Sequence, residues 1–345
     1  MNVEKYRDYL FDTCRRIFAV DSPSGYTADV MKLIGKMAEE MGYAFETTRK
    51  GCGVITIPGR SEEKTVGLSA HVDTLGLMVR SITSDGQLKF TPVGGPLLPT
   101  LDGEYCTIRT RCGKVYTGTI LSLSPAAHVF ADSKSRERDA DNMAVRIDEK
   151  VKNAEEVRAL GIETGDYICI DTKMTITPSG FLKSRFIDDK GSVACLMTIL
   201  KIMKEEKLVP AYKTKFFISA YEEVGHGASY IPEDISELIS VDMGCIGDDL
   251  NCTEYDVSIC AKDSGGPYDY ELTSRLIQLA KDNGLSYAVD IYPFYGSDVG
   301  AARAAGNDIK GGLIGPGVHA SHGMERTHWE GMENTIRLAM LYMGC

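Results

Sequence analysis

The chain has 345 residues, of which 43% are hydrophobic and 25% are charged, and its formal net charge is −11. This length is large for a single compact core, so we expect one large domain and a smaller one. The composition is typical of a soluble globular protein, and the acidic balance argues against nucleic acid or an anionic membrane surface as the main partner. No apolar run approaches the roughly 20 residues that span a bilayer.

The cysteines and the first residues of the chain indicate its compartment. Ten cysteines are scattered along the sequence without a CxxC pair, and the opening MNVEKYRDYL mixes acidic and basic residues before any apolar stretch. A secretion signal has a different pattern, and structural disulfides are typical of secreted proteins. We therefore expect a cytoplasmic protein with reduced thiols, and we do not expect a zinc site built from thiolates.

The first 73 residues have the pattern of two helices followed by two strands. Apolar and charged residues alternate at helical spacing over 4–19 and 27–41, and the second run ends at Gly42, a residue type that commonly closes a helix. GVITIPG and TVGLSAHVD are short β-branched or apolar runs bounded by glycine and proline. These two runs predict strands.

The pattern of the sequence changes between about residue 74 and residue 180. Short alternating runs such as LGLMVRSI, YCTIRT and VYTGTILSL are separated by glycine, proline and aspartate turns, which predicts many short strands. NAEEVRALG predicts one short helix, with Asn153 as its N-cap, Glu156 three positions later and Gly161 at its end. This stretch therefore predicts an all-β domain inserted into the chain.

Helices and strands alternate again after residue 180. DDKGSVACLMTILKIMKEEK and YDYELTSRLIQLAKDNG have helical spacing, KTKFFISAY and LISV indicate buried strands, and WEGMENTIRLAMLYMG predicts a final amphipathic helix. Strands that alternate with helices predict an α/β sheet with helices on both faces. We expect residues 1–73 and 181–345 to form a catalytic α/β domain, and residues 74–180 to form the insertion.

Histidines and carboxylates follow the predicted strands, at the edge where open α/β sheets carry their functional groups. The candidates are His71 and Asp73, Asp188 and Asp189, Glu222 and Glu223, Asp242, and the three histidines of HASHGMERTH at positions 319, 322 and 328. Taken singly, each has a structural explanation, such as an interior histidine, a helix cap or a polar turn. The whole set favours zinc, cobalt or manganese in a site of two ions bridged by a carboxylate, which can polarise a carbonyl and hold a hydroxide.

Four motifs, in order along nearly the whole chain, carry a resemblance to a known family. SAHVDTLGLMV, SRFIDDKGS, AYEEVGHGA and SVDMG resemble the motifs of the tetrahedral, or glutamyl, aminopeptidases of metallopeptidase family 42, cytosolic enzymes with two co-catalytic metal ions. The resemblance implies a phosphopeptidase-type α/β sandwich with an inserted β-barrel-like domain used for assembly and access control. It also implies a large hollow homo-oligomer, often a dodecamer, that admits only peptides.

The resemblance further implies a role for each matching residue. The metal ligands would be His71 and Asp242 for one ion, Glu223 and a C-terminal histidine for the other, and Asp188 as the bridge between them. Glu222 would be the general base that takes the proton of the attacking water and returns it to the leaving amine. Asp73 would be the partner of His71 that fixes the tautomer of its ring.

The C-terminal histidine is the ligand that the resemblance leaves open. The family pattern is often YIHSPxE, in which an acid follows the ligand by four positions, whereas this chain has GPGVHASHGMERTH. We favour His322, three residues before Glu325, over His319, which would need a longer loop. His328 fits a helix N terminus or a packing role better.

Other positions depart from the family pattern or receive no role. Lys190 stands where arginine is usual, and Thr27 stands where a glutamate is usual. Three further polar residues are left unassigned, namely His128, His226 and Asp298.

The function predicted from these observations is a metal-dependent aminopeptidase that removes N-terminal residues from short peptides, with a metal-bridged hydroxide as the nucleophile. Two divalent ions per subunit are expected, zinc first, with cobalt or manganese as alternatives. Two other interpretations stay open: a deacylase or carboxypeptidase-like hydrolase of another amide, and a non-catalytic scaffold. The adjacent pair Glu222 and Glu223 argues against a scaffold, because a scaffold has no need of a base beside the metals.

Overall fold

The computed structural model describes residues 2–345 and confirms the predicted α/β class with a barrel. The chain forms two compact units. The α/β unit contains the residues up to Asp73 together with Lys173–Cys345, and the barrel unit contains Thr74–Thr172. The α-helices are α1 (Arg7–Phe18), α2 (Ala28–Glu40), α3 (Ala154–Leu160), α4 (Ile187–Glu206), α5 (Tyr270–Asp282), α6 (Asp298–Ala304) and α7 (Trp329–Met343).

The strands form a main sheet, a small sheet and a closed barrel. In chain order they are β1 (Phe45–Thr47), β2 (Gly53–Ile57), β3 (Ser61–His71), β4 (Gly76–Ile82), β5 (Leu88–Val93), β6 (Tyr105–Arg109), β7 (Val115–Ser122), β8 (Met143–Ile147), β9 (Tyr167–Ile170), β10 (Thr175–Ile176), β11 (Phe181–Ser184), β12 (Tyr212–Ser219), β13 (Ile235–Val241), β14 (Gly244–Cys245), β15 (Val257–Asp263), β16 (Gly266–Pro267), β17 (Tyr287–Ile291), β18 (Lys310–Val318) and β19 (Glu325–His328). Strands β4 to β9 form the barrel, β10, β11 and β19 form the small sheet, and the others form the main sheet.

Four neighbouring strands, β12, β3, β13 and β18, run parallel in the middle of the main sheet. Their carboxyl ends therefore lie at one edge, at Ser219, His71, Val241 and Val318. Antiparallel strands flank this group, with β2 beside β12 and β15 beside β18. The segments that carry His71, the Glu222–Glu223 pair, Asp242 and His322 leave the sheet from this edge, whereas Asp188 follows β11 of the small sheet.

Strand β18 shows that helices cover both faces of the main sheet, as predicted. Neighbouring residues of a strand point to opposite faces. A Cβ atom on Gly311 would meet Val299 of α6 at 2.2 Å, and one on Gly312 would meet Leu272 of α5 at 3.4 Å. Helices α6 and α5 therefore pack on opposite faces of the sheet.

Helix α4 is buried along almost its whole length, in contact with α1, α7 and β3. Its N terminus is irregular, because Asp188 and Asp189 have non-helical backbone dihedrals and are joined by a cis peptide bond. Both aspartates are buried. The first turn of this helix thus holds two acids in the interior of the α/β unit.

The barrel unit contains six antiparallel strands in the order β4, β5, β8, β7, β6 and β9. Helix α3 begins and ends as predicted: the Asn153 side chain accepts the N–H of Glu156, and Gly161 closes the helix with a φ of 91°. The Glu156 carboxylate in turn accepts the N–H of Lys152. His128 is exposed in the connection between β7 and β8.

Most of the cysteines lie in the interior of the protein. All ten cysteines are free, and seven of them are buried, namely Cys14, Cys52, Cys106, Cys169, Cys195, Cys252 and Cys260. They pack as small core residues. Within residues 2–345 no helix is both long enough and apolar enough to cross a membrane.

Strand β18 is a central strand that the sequence does not predict, because glycines have low strand propensity. Contacts with the backbone of neighbouring segments explain two of them. A Cβ on Gly315 would lie 1.7 Å from the carbonyl oxygen of Asp242, and one on Gly317 would lie 2.0 Å from the carbonyl oxygen of Thr253. The main chain of a candidate ligand therefore occupies the space that a side chain at position 315 would need.

Gly315→Ala is expected to lower the free energy of unfolding by roughly 3 kcal/mol or more, because the added methyl group overlaps the Asp242 carbonyl and the strand must shift. Urea denaturation measures the change. Gly300→Ala is the matched control: Gly300 lies in α6 with no atom within 4 Å of an added Cβ, so this variant should be neutral or slightly more stable. Equal stability of the two variants would contradict the close approach.

Candidate metal centre

The segments that follow the parallel strands bring the predicted site residues together. His71 is the last residue of β3, Glu222 and Glu223 lie in a short turn of 3₁₀ helix after β12, and Asp242 follows β13. The remaining two, Asp188 and His322, lie at the start of α4 and in the turn between β18 and β19. The structure therefore gathers residues that are far apart in the sequence.

One ring nitrogen of His71 makes a hydrogen bond to the main chain, and the other faces two carboxylates. Its Nδ1–H donates to the main-chain carbonyl of Asp73 at 2.9 Å. Its Nε2 lies 3.1 Å from Oδ1 of Asp188 and 3.7 Å from Oε2 of Glu222. Because Nδ1 carries the proton, Nε2 is the atom available to a metal ion.

Asp188 lies between the two histidines. Its Oδ1 faces Nε2 of His71, and its Oδ2 lies 3.6 Å from Nε2 of His322. The same His322 nitrogen lies 3.7 Å from Oε2 of Glu223. One carboxylate thus presents its two oxygens to two different imidazoles, which is the arrangement that a bridging ligand requires.

Asp73 contacts His71 and also the two adjacent glutamates. Its main-chain carbonyl is the hydrogen-bond partner of His71, and Oδ1 of its carboxylate lies 3.6 Å from Nδ1 of the same ring. Oδ1 of Asp73 accepts the N–H of Glu222 at 3.1 Å, and Oδ2 accepts the N–H of Glu223 at 3.2 Å and the hydroxyl of Ser24 at 2.6 Å. Asp73 therefore holds the backbone of the two adjacent glutamates.

Two further acids, which the family resemblance does not assign, belong to the site. Asp189 is fully buried, and its Oδ2 accepts the N–H of His71 at 3.1 Å. Glu325 is 2% exposed and accepts the N–H groups of Asp188 and His322, each at 3.0 Å. Adjacency to Asp188 was the available sequence signal for Asp189, and for Glu325 it was the spacing from His322.

The three histidines of the C-terminal stretch have different surroundings. His322 faces the carboxylates, whereas His319 is exposed and pairs through its main chain with Arg326. His328 is the N-cap of α7: its Nδ1 accepts the N–H of Glu330, and its Nε2 donates to the carbonyl of Ser179 at 2.8 Å. The position of His328 matches the helix-terminus role expected for it.

Two of the unassigned residues lie close to the adjacent glutamates. The ring of His226 stacks on Tyr221 at 5.0 Å, and Tyr221 directly precedes Glu222. Asp298 is buried and accepts the hydroxyl of Ser219 and the N–H of Ala228, each at 3.0 Å. Both residues support the turn after β12.

Burial changes the acidity of the carboxylates. It raises the pKa of Glu222 and Glu223 well above the glutamate value, and neighbouring carboxylates add to the rise. Burial, with Asp188 close by, raises the pKa of Asp242 to about 7. Burial is the largest single influence on the pKa of Asp188 and raises it, but the hydrogen bond from His71 and the charges of His71 and His322 together lower it further, so the net shift is downward.

The residues present fit divalent cations. Two sets of three residues each bring their ligand atoms within 4.8 Å of one another. One set is His71, Asp188 and Glu223, and the other is His71, Asp189 and Asp242. Oε1 of Glu223 is buried and accepts no hydrogen bond from the residues that the structure describes. Crowded buried carboxylates are costly unless positive charge balances them, and oxygen and imidazole ligands suit zinc, cobalt and manganese.

The family of the chain follows from comparison with known proteins. Residues 51–338 match the family model described as M42 glutamyl aminopeptidase. The chain belongs to this family. The resemblance carried by the four sequence motifs is thereby confirmed, and family membership makes the protein a peptide hydrolase of the aminopeptidase type that uses divalent metal.

Relatives and solved structures agree with this family. YhfE of Bacillus subtilis (strain 168), whose name assigns it provisionally to the aminopeptidases, is 44% identical over 330 residues, which is 95% of each chain. The TET aminopeptidase of Thaumarchaeota archaeon SCGC AB-539-E09 is 19% identical with a TM-score of 0.88, over 97% of this chain and 96% of that one. The TET1 peptidase of Pyrococcus horikoshii is 20% identical with a TM-score of 0.82, over 97% and 99%. The two solved structures show the fold.

Asp73→Asn is expected to lower the free energy of unfolding by about 1–3 kcal/mol, because the new amide group would face an N–H or hydroxyl donor that Asp73 now accepts. Urea denaturation of the metal-free protein measures the loss. Ser24→Ala is the control, since it removes one donor and leaves both backbone bonds of Asp73, and should cost only about 1 kcal/mol. If Asp73→Asn lowers the free energy of unfolding no more than Ser24→Ala does, the backbone bonds are not the reason that position 73 has a carboxylate.

Proposed function

We propose that the protein is a dinuclear metal-dependent aminopeptidase that removes N-terminal residues from short peptides. The observation that carries this proposal is the position of Asp188, whose two oxygens face the imidazoles of His71 and His322. In this proposal His71 and Asp242 hold one ion, Glu223 and His322 hold the other, and Asp188 bridges them. The ligand set is best suited to zinc, with cobalt or manganese as alternatives.

When bound, two such ions would supply a polarised scissile carbonyl and a bridged hydroxide as the nucleophile. The chain supplies the movement of protons. We assign this role to Glu222, whose Oε2 would take a proton from the attacking water and return it to the leaving amine. The backbone bonds from Asp73 to Glu222 and Glu223 fix the two neighbours together, so that one carboxylate can bind metal while the other stays available.

Assembly and location complete the proposal. The TET1 peptidase of Pyrococcus horikoshii is described as assembling into a tetrahedron or a large octahedral shell. We propose that this chain also forms a large homo-oligomer, of which a dodecamer is one form, and that the barrel unit serves assembly and peptide access. The free cysteines support a reducing compartment, so we propose the cytoplasm.

Glu222→Gln is expected to reduce the rate of peptide hydrolysis by about 10²–10⁴-fold, because the amide cannot take up the proton of the water. Both metal ions should remain, since Glu222 is not a proposed ligand. The measurements are kcat on a dipeptide and metal content by elemental analysis. Full activity of this variant with both ions bound would end the proposal.

The same assay separates the proposed function from its alternatives. An aminopeptidase should cleave a dipeptide with a free α-amine and leave the N-acetylated dipeptide intact. Preference for the blocked dipeptide would instead indicate a deacylase or another amide hydrolase. Failure of the wild-type protein to bind any divalent ion after reconstitution would indicate a non-catalytic scaffold.

His322→Ala is expected to lose one metal ion per subunit and most of the activity, because it removes the imidazole of one proposed ion site. His328→Ala is the matched control from the same stretch. It should keep both ions and lose only stability, by about 1 kcal/mol for the missing N-cap of α7. Metal content, activity and melting temperature are compared for both, and loss of an ion from the His328 variant instead would reverse the assignment.

A further inference from the structure

Glu325 is a buried acid that the proposed mechanism does not use. Its Oε1 accepts the N–H of His322 and its Oε2 accepts the N–H of Asp188, each at 3.0 Å. Both partners are proposed metal ligands, one on the turn before β19 and the other at the start of α4. A single carboxylate therefore joins the main chains of two ligands that come from distant parts of the sequence.

The small sheet places Glu325 where it can make both bonds. Glu325 is the first residue of β19 and pairs with Ser184, the last residue of β11. Strand β11 leads directly into α4, so Asp188 follows Ser184 by four residues. The register between β11 and β19 therefore fixes the position of Glu325 relative to both ligand segments.

The two segments that Glu325 joins have backbone conformations that need support. His322 has a φ of 63° and Ala320 a φ of 59° on one segment, and Phe186 has a φ of 65° on the other. Left-handed conformations are unfavourable for non-glycine residues, and they persist when surrounding bonds hold them. Arg185 adds a bond from its guanidinium to the carbonyl of Gly323 at 3.1 Å.

The chemistry of Glu325 suits holding the backbone better than binding a metal ion. An ionised carboxylate accepts hydrogen bonds on both oxygens and donates none, which matches two converging N–H groups. A glutamine has one acceptor oxygen, so its amide group would face one of the two donors.

We propose that Glu325 is a positioning residue that sets the imidazole of His322 at the right distance from Asp188, and so controls the affinity of the ion held by His322 and Glu223. This inference rests on the proposed dinuclear function. It predicts that loss of the two bonds to Glu325 weakens the site of His322 and Glu223 more than the other. Asp188 serves both ions, so the loss of its bond acts on both sites, and the difference between the sites comes from His322, since His71 and Asp242 keep their contacts with Asp189 and with the N–H of Met243.

The test compares Glu325→Gln with the wild type as folded, metal-free proteins titrated with Zn²⁺ against a competing chelator. The site of His322 and Glu223 is identified as the one whose Zn²⁺ constant is also lost in His322→Ala. We expect the Kd at this site to rise about 10–100-fold in Glu325→Gln, as for other residues that orient metal ligands. The Kd at the other site should change much less. Activity lost by the variant at low Zn²⁺ should return as Zn²⁺ is raised, because the catalytic groups themselves are intact.

Glu237→Gln is the matched control. Glu237 is also a shielded glutamate with three partners, Lys64, Arg275 and Tyr342, and it lies at the opposite end of β13 from the candidate site. This variant should lower the melting temperature and leave both Zn²⁺ constants unchanged. A purely structural role for Glu325 would give the same result as this control.

Each outcome has a distinct meaning. Unchanged Zn²⁺ constants in Glu325→Gln, or an equal weakening of both ions, would overturn the inference. A wild-type protein that binds no Zn²⁺ would instead overturn the proposed function. If Glu325→Gln does not fold, Glu325→Asp gives the same test, because its shorter side chain reaches only one of the two N–H groups and should likewise weaken one ion selectively.

Discussion

The α/β unit buries several carboxylates beside the imidazoles of His71 and His322, at the edge where the parallel strands of the main sheet end. This is the constraint on which the rest of the site depends. Acids at this density repel one another, and burial removes the water that would screen them. Burial and the nearby Asp188 raise the pKa of both Glu223 and Asp242, in agreement with this cost. Cations relieve it, which is the physical reason that these residue types, at the ends of neighbouring strands, indicate a metal site.

The carboxylates at this edge have two different tasks. The proposed ligands point into the site, whereas three other acids accept main-chain N–H groups of the functional residues. The pairs are Asp189 with His71, Asp73 with Glu222 and Glu223, and Glu325 with Asp188 and His322. Side-chain rotamers can be exact only if the backbone beneath them is, so these bonds set the geometry that the ligands need.

The sequence predicts the proposed metal ligands better than it predicts the acids that accept main-chain N–H groups, for a physical reason. Strands β3, β12 and β13 are apolar runs, and parallel strands end at the same edge, so residues that follow them must be neighbours. An acid that bonds a backbone N–H has no such signature, because its partner is a group that every residue carries. The same holds for Gly315, which is required because the main chain of Asp242, directly after the neighbouring strand β13, leaves no space for a side chain. The bond from His71 to the main-chain carbonyl of Asp73 could not be predicted either, because every residue carries such a carbonyl.

The division of tasks bears on how the site responds to metal. Backbone N–H groups are present whether or not an ion is bound, so the bonds from Asp73, Asp189 and Glu325 can hold the frame of the site in either state. In the proposed site, ion binding would relieve repulsion among ligands that are already placed, and little of its free energy would be consumed in ordering loops. An ion that binds only the folded protein would stabilise it by an amount that rises with the logarithm of the ion concentration. Under the proposed ligand assignment, the acids that accept backbone N–H groups would therefore contribute to metal affinity by fixing the positions of the ligands.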